Sequence, residues 1–306
     1  MKTTGNDLKP ILDYLMEKRG FDFSGYYPAM LARRITQRLT ATSSANFRDY
    51  LSFLQKNPNE LDLLIDVITI NVSRFFRDAL TFELIADRIL PVIIQEKDRS
   101  QDHSLRIWSA GCAKGEEPYS LAILIHELLE KTGGHCRKSG NPYRSDQGLS
   151  TEYQYRKPLP LPPFSVHIFA TDIDGGALKD AVKAVYPMAS VDNIKHRFLV
   201  KYFAPEGTSF RLIPEIRDMV TFTPYDMLDK KHGVPPESVF GAFDLVLCRN
   251  LLIYFNIEYQ ETIFAKLYHS LAENGYLVLG EAEAPTIKYR RHFRRVFDFS
   301  PIYQKI

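Results

Sequence analysis

The stretch "FDLVLCRNLLIYF", residues 243–255, indicates the class of fold and points to a ligand. Its first half is a short apolar run, typical of a strand buried on both faces of a parallel sheet. Arg249 and Asn250 follow this run directly, and the chain then becomes apolar again. Two polar side chains at the end of a buried strand need partners. Those partners are either protein groups, with Arg249 on a carboxylate and Asn250 capping a turn, or a bound ligand.

Predicted strands alternate with predicted helices around this stretch. Further strands are predicted at "LRIWSAG", "SVHIFATDID" and "GYLVLGEAE". The helices between them are "PYSLAILIHELLE", "GALKDAVKAVY" and "EYQETIFAKLYHSLAENG". This order predicts an α/β domain with a doubly wound, mainly parallel sheet, which binds ligands at the carboxyl ends of its strands.

Three regions lie outside that alternation. Residues 1–75 have helical periodicity only and predict an all-α N-terminal domain. A linking helix is predicted at 76–100, with Asp78 as its cap and a kink near Pro91. Residues 133–163 are rich in Gly, Pro and Ser and predict a long flexible loop within a domain spanning 101–306. Residues 186–222 contain the short strand-like pieces "RFLVKYF", "FRLIPEIR" and "MVTF" and predict a helix with an inserted antiparallel β subdomain.

Composition excludes several classes of protein. The net charge of +2 over 306 residues gives no general nucleic-acid footprint. The polar N-terminus and the lack of a long apolar run predict neither a signal peptide nor membrane insertion. Three unpatterned cysteines favour a reducing cytoplasm, and the scattered histidines predict no metal site.

Two further strand ends carry polar residues. After the first strand, Gly111 and Gly115 permit close approach to a ligand, and Glu117 begins the next helix. The spacing is not GxGxxG, so a dinucleotide fingerprint is not met, and helix-dipole complementarity is an alternative role for the acid. After the second strand, Asp172 is placed to accept hydrogen bonds from a ribose diol, whereas Asp174 suits a helix cap. The three strand ends together predict a crevice for an adenosine-type ligand.

Five motifs make a specific resemblance apparent. The motifs are, in chain order, "NVSRFFRD", "WSAGCAKGEEPYSLA", "FATDID", "FDLVLCRNLLIYF" and "GYLVLGEAE". In this order they resemble the chemotaxis receptor glutamate methyltransferases, the CheR family. The resemblance implies a Rossmann-like methyltransferase domain with an inserted β subdomain behind an all-α domain. It also implies transfer of a methyl group from S-adenosylmethionine to receptor glutamates, leaving S-adenosylhomocysteine.

The same resemblance implies roles for individual residues. Tyr254 would lie beside the reacting methyl group, and we hypothesise that Arg77 and Tyr254, as catalytic residues, steer the incoming carboxylate. The implied cofactor-binding residues are Asn71, Ser73, Arg77, Glu117, Asp172, Asp226, Met227, Arg249 and Asn250. For the segment at 68–78, packing between the two domains is an alternative to closing over the crevice.

The predicted macromolecular partner is the cytoplasmic helical bundle of a chemoreceptor. Arg33, Arg34 and Arg38 form a basic helix face suited to an acidic bundle, although a merely solvated face is an alternative. The stretch "YFAPEGTSFRL" is short and has one glycine, which favours the absence of pentapeptide-tail binding.

Three other functions compete with the methyltransferase assignment. A nicotinamide-dependent dehydrogenase requires the missing GxGxxG. A nucleic-acid methyltransferase requires an NPPY-type motif where this chain has "CRNLLIYF". A sensor that keeps the crevice without catalysis stays open, and the basic residues of the 131–157 loop would suit another partner.

Overall fold

The computed structural model describes residues 5–69, 73–132, 164–229, 232–235, 238 and 242–306. The predicted site residue Asn71 and the predicted loop at 133–163 lie outside these ranges. Within the described ranges, no helix has the length and apolar character needed to cross a membrane.

Four helices form the N-terminal part of the chain. They are α1 (Gly5–Arg19), α2 (Pro28–Ala41), α3 (Phe47–Lys56) and α4 (Pro58–Thr69). Apolar side chains at helical spacing, such as Leu8, Ile11 and Leu15, are fully buried between them. Gly20 follows α1 with a φ of 76°, a conformation that suits glycine at a helix end.

The linking segment is a helix interrupted by a π-helical stretch. It consists of α5 (Ala79–Leu84), the π-helical residues Ile85–Ile89 and α6 (Leu90–Arg99). The irregularity therefore precedes Pro91, which stands in the first turn of α6. The predicted helix cap at Asp78 is wrong, because its side chain makes no cap hydrogen bond to α5 and instead accepts one from Arg249.

A seven-stranded sheet forms the centre of the rest of the chain. Its strands are β1 (Ser104–Ala110), β2 (Ser165–Asp172), β6 (Val220–Pro224), β7 (Phe243–Cys248), β8 (Leu271–Leu279), β9 (Phe293–Arg295) and β10 (Ile302–Lys305). The strand order is β6-β2-β1-β7-β8-β10-β9, and the first five strands run parallel. Every residue of β7 is buried, as its apolar sequence predicts. The long helices of this part are α7 (Glu116–Lys131), α8 (Gly175–Lys183) and α12 (Ile257–Ser270).

A three-stranded antiparallel sheet is inserted between α8 and β6. Its strands are β3 (Val185–Pro187), β4 (Phe203–Glu206) and β5 (Ser209–Leu212), in the order β3-β5-β4. Three short helices accompany it: α9 (Met188–Val191), α10 (His196–Tyr202) and α11 (Pro214–Arg217). The assignment of "MVTF" to this small sheet is wrong, because Val220–Pro224 pairs in parallel with β2. The predicted class, a Rossmann-like domain with an inserted antiparallel sheet behind an all-α domain, is confirmed.

Candidate active site

A single cleft collects the residues that the sequence singled out. It lies at the carboxyl ends of β1, β2 and β7 and holds about 920 Å³ of space, part of it open to solvent. Nine of the ten predicted catalytic and cofactor residues line it, and the tenth, Asn71, is outside the described residues. The nine are Ser73, Arg77, Glu117, Asp172, Asp226, Met227, Arg249, Asn250 and Tyr254.

Two glycines shape the turn between β1 and α7, and Gly111 lines the cleft. Gly111 and Gly115 have φ values of 75° and 90°, which favour glycine. A Cβ atom on Gly115 would lie 3.0 Å from both Ala181 Cβ and Phe222 Cζ, so the turn also packs tightly against its neighbours. The turn is held to the second strand because the N–H groups of Gly111 and Cys112 both donate to the Thr171 carbonyl.

Asp172 ends β2 with its carboxylate already oriented by the backbone. Oδ2 accepts from Ala113 N at 2.8 Å, and Oδ1 accepts from Asp174 N at 2.9 Å. Each carboxylate oxygen has a second lone pair, so both oxygens keep the capacity to accept from a ligand hydroxyl. Burial raises the pKa of Asp172, and the backbone donors oppose that rise. The predicted cap at Asp174 is confirmed, since its Oδ1 accepts from the N–H groups of Gly176 and Ala177 at the start of α8.

Arg249 is the centre of a buried ion-pair network. Its side chain is only 2% exposed, and Nη1 donates to Glu117 Oε2 at 2.9 Å. Nη2 donates to Asp78 Oδ2 at 2.6 Å and to the Arg77 carbonyl at 2.8 Å. The guanidinium also lies over the Phe82 ring, 5.2 Å from its centroid. Arg249 thus has protein carboxylates as partners, which was one of the two alternatives predicted from the sequence. It also lines the cleft, where a ligand would bind.

Glu117 connects this network to the ligand side of the cleft. Its Oε1 accepts from Ser109 Oγ at 2.8 Å, while Oε2 holds Arg249. Its neighbour Glu116 is buried with a pKa raised by burial, and a hydrogen bond from Ser73 partly offsets that rise. The two adjacent acids therefore have different surroundings. Glu117 lines the cleft, whereas Glu116 does not.

Asp226 and Met227 form the wall beyond β6. Asp226 Oδ1 accepts from Leu228 N at 2.8 Å, and burial raises the pKa of this carboxyl against the opposing charge of Lys266. Met227 is buried and contributes an apolar surface beside it. Ile173 and Leu251 add further apolar lining.

Tyr254 lies where the helical part of the chain meets the sheet. Its carbonyl accepts from Tyr27 N at 3.0 Å, and Tyr26 pairs with Phe255 across an isolated β-bridge. Tyr26 lines the cleft and its pKa is raised, mainly by burial and then by the nearby charges of Asp226 and Asp172.

Tyr26 and Thr69 are among the lining residues that the sequence analysis missed. Thr69 Oγ1 also donates to Asp174 Oδ2 at 3.2 Å. No motif marks either residue, because each reaches the cleft through a contact between segments far apart in sequence.

The three arginines predicted to dock the receptor differ in their surroundings. Arg33 is exposed on α2 and Arg34 is half-buried. Arg38 is held by Glu60 in a two-pronged ion pair, with Nε and Nη2 donating at 2.9 Å and 2.8 Å. The structure therefore does not present all three guanidinium groups equally to a partner.

The chain matches two protein-family descriptions. Residues 6–69 match "CheR methyltransferase, all-alpha domain", and residues 71–137 and 159–298 match "CheR methyltransferase, SAM binding domain". The chain belongs to the CheR methyltransferase family. The resemblance noted from the motifs is thereby confirmed, together with S-adenosylmethionine as cofactor and a role in chemotactic signalling. The nicotinamide-dependent dehydrogenase and the nucleic-acid methyltransferase are ruled out.

Curated members of the CheR family are similar over most of their length. The chemotaxis protein methyltransferase of Borreliella burgdorferi is 28% identical over 92% of this chain and 88% of its own. Chemotaxis protein methyltransferase 2 of Vibrio cholerae is 29% identical over 92% of this chain and 86% of its own. Chemotaxis protein methyltransferase 1 of Pseudomonas aeruginosa is 33% identical over 73% of this chain and 69% of its own. This CheR-family chain is thus a methyltransferase that uses S-adenosylmethionine.

Proposed function

We propose that this enzyme methylates glutamate side chains of chemoreceptors in the cytoplasm, forming glutamate methyl esters and S-adenosylhomocysteine. The observation that carries the proposal is the single cleft, in which acids from three strand ends lie together with Arg77 and Tyr254. A role in adaptation of the chemosensory response follows from the family.

The polar and apolar residues of the cleft fit S-adenosylmethionine. Asp172 has spare acceptor capacity for the two ribose hydroxyls. Asp226 offers an acceptor for the adenine amino group, with Met227 as an apolar neighbour for the ring. Glu117, beside the arginine network, is an acceptor for the cationic amino end. Ser73, Arg77, Arg249 and Asn250 also line the cleft and complete the predicted cofactor-binding residues among those described.

The chemistry demands alignment rather than acid–base catalysis. When bound, the cofactor supplies an electrophilic methyl group on a sulfonium. A glutamate carboxylate with an ordinary pKa of about 4.3 is already ionised at neutral pH. Positioning a nucleophile in this way lowers a reaction barrier by up to roughly 7–11 kcal/mol. In this proposal Tyr254 and Arg77 hold the incoming carboxylate, and closure by the helical part of the chain excludes water.

The substrate is proposed to dock on the helical part of the chain. Arg33 supplies exposed positive charge on α2, and Arg34 stands one residue further along. Because Arg38 is engaged by Glu60, its proposed contribution to docking is to hold α2 and α4 together rather than to meet the receptor. An acidic helical bundle would be attracted by the exposed charge. No pentapeptide tail is required.

Labelled cofactor tests the proposal directly. The purified enzyme is incubated with methyl-labelled S-adenosylmethionine and a membrane fraction of its host, with heat-inactivated enzyme as the control. We expect label on a receptor-sized band that is lost under mild base, since carboxyl methyl esters are base-labile. Label that withstands base, or label on nucleic acid alone, would contradict the proposal.

A further inference from the structure

Glu283 is a buried carboxylate that no role above uses. It lies in the loop after β8 and is 7% exposed. No lysine, arginine or histidine of the described residues forms an ion pair with it, because its partners there are backbone N–H groups. Burial raises the pKa of Glu283, and these backbone donors oppose the rise. A buried carboxylate without a counter-ion is costly, so its retention calls for an explanation.

The Glu283 carboxylate holds the turn that carries two predicted site residues. Oε2 accepts from Asn250 N at 2.9 Å, and Oε1 accepts from Ile253 N at 3.2 Å. Asn250 has a φ of 56°, in the left-handed region that is unfavourable for most residues. The hydrogen bond to its N–H stabilises this conformation. Ile253 directly precedes Tyr254, so the same carboxylate holds the turn at both ends.

Gly280 provides independent evidence that this arrangement is tightly built. Its N–H donates to Glu283 Oε2 at 2.7 Å. A Cβ atom at residue 280 would lie 2.7 Å from that same oxygen and 2.9 Å from Asn250 N and Asn250 Nδ2. Contacts this short are not tolerated, so any side chain at residue 280 would push the carboxylate and the asparagine apart.

We propose that Glu283 is a positioning residue of the methyltransferase site: it fixes the turn 250–254 and so sets the placement of Asn250 and Tyr254. The effect on Asn250 concerns cofactor binding alone. The effect on Tyr254 rests on the proposed function, in which that tyrosine meets the methyl acceptor. Glu283 itself is not among the residues that line the cleft.

Glu283→Gln tests the proposed effect of Glu283 on cofactor binding through Asn250. The amide keeps the shape but has one acceptor oxygen and an NH₂ group that would oppose a backbone donor. We expect the affinity for S-adenosylhomocysteine to fall about tenfold by calorimetry, as for a buried donor left unpaired. Gly280→Ala should give a loss of the same order. Glu281→Gln is the matched control, because Glu281 is exposed two residues earlier and should leave the affinity unchanged.

Coupling to Tyr254 distinguishes positioning from general stability. In single-turnover assays at a temperature where every variant is folded by circular dichroism, Glu283→Gln should slow methyl transfer. In a Tyr254→Phe background the further loss should be much smaller, because the two residues then act through one group. Purely additive effects would overturn the coupling, and unchanged cofactor affinity in both Glu283→Gln and Gly280→Ala would overturn the positioning role.

These results also separate this inference from the proposed function. If the wild-type enzyme labels no receptor, the proposed function fails, while the calorimetric comparison still decides the role of Glu283 toward Asn250. If the wild type and Glu283→Gln label the receptor equally and bind cofactor equally, only the inference about Glu283 fails.

Discussion

Arg249 donates from Nη1 to Glu117 Oε2 at 2.9 Å, joining the end of β7 to the start of α7. Through Nη2 the same guanidinium binds Asp78 and the Arg77 carbonyl, so it also holds the linking segment. Phe76 and Asp78, on either side of Arg77, have φ values of 52° and 61°. Such backbone conformations are costly for non-glycine residues and require support from their surroundings. One buried cation therefore fixes both a predicted cofactor acceptor and a predicted catalytic segment.

Arg249→Met should destabilise the fold strongly. It leaves the carboxylates of Glu117 and Asp78 without their buried partner, a change that typically costs about 3–5 kcal/mol. Urea unfolding measures the loss, and Arg33→Met, on an exposed side chain, should change the free energy of unfolding by less than about 0.5 kcal/mol. Equal effects of the two substitutions would contradict the network.

Asp172→Ala should weaken cofactor binding. Loss of the acceptor leaves ligand hydroxyls unpaired, at a cost of about 1–3 kcal/mol, or roughly ten- to hundredfold in affinity. Calorimetry with S-adenosylhomocysteine measures this change. Asp218→Ala removes an exposed acid of the same domain and is the control. Unaltered affinity in Asp172→Ala would remove Asp172 from the cofactor site.

Cofactor affinity should fall on mild acidification. Burial raises the folded-state pKa of Asp172 and of Asp226, so both take up protons at a higher pH than an ordinary carboxyl group of pKa about 4. The charged acceptors are present above these raised pKa values and are lost as the pH falls through them. The effect on the free energy of unfolding has the opposite sign. Carboxyl groups with a raised pKa destabilise the folded state at neutral pH, and acidification relieves this destabilisation.

The titration is measured as affinity from about pH 7.5 down to about pH 4, the ordinary carboxyl value, or to the lowest pH at which the enzyme stays folded. Asp226→Asn should flatten part of the profile, whereas Asp218→Asn should leave it as in the wild type. A wild-type profile that stays flat over this range would contradict the assignment of these carboxylates.

Tyr254→Phe should lower turnover while preserving cofactor affinity. Loss of one hydrogen bond to the methyl acceptor corresponds to about 1.4 kcal/mol, or roughly tenfold in rate. Arg77→Ala should raise the KM for the receptor as well, because it removes a charge that attracts the carboxylate. Steady-state kinetics at saturating cofactor measures both effects. Unchanged turnover in both variants would reject the two proposed catalytic roles.

Arg33→Glu should slow receptor methylation at low salt without changing cofactor affinity. A reversed charge on a docking surface acts mainly on the association rate, and salt screens it. Arg99→Glu is the control, since Arg99 is an exposed arginine on α6 rather than on α2. A loss that is equal in both variants, or independent of salt, would show that α2 is not the docking face.

The part of the site at the strand ends was predictable because polar residues interrupt apolar strands there, whereas the remaining site residues were predicted from the family resemblance. Arg249 and Asn250 stand out after a fully buried strand, and Asp172 ends another. The parallel topology then brings such ends to one edge of the sheet, which places them in one cleft without further information.

The remaining features depend on contacts that no local pattern encodes. A carboxylate partner for Arg249 was predicted from the sequence, but its identity was not. The two acids that bind Arg249, Glu117 and Asp78, are distant from it in the sequence. Asp78 was predicted to cap a helix because it precedes a helical pattern. Its actual partner, Arg249, comes close only in the folded chain. Glu281 and Glu283 look alike in "GEAE", yet one is exposed and the other is buried. Val220–Pro224 is too short and too mixed for its pattern to tell which sheet it joins.

A crystal structure of the enzyme with S-adenosylhomocysteine tests the central claim most directly. We predict density for the ligand in the cleft, with its ribose diol on Asp172, its adenine beside Asp226 and Met227, and its sulfur facing Tyr254. A ligand bound elsewhere, or bound with its ribose away from Asp172, would contradict the assignment of this cleft as the active site.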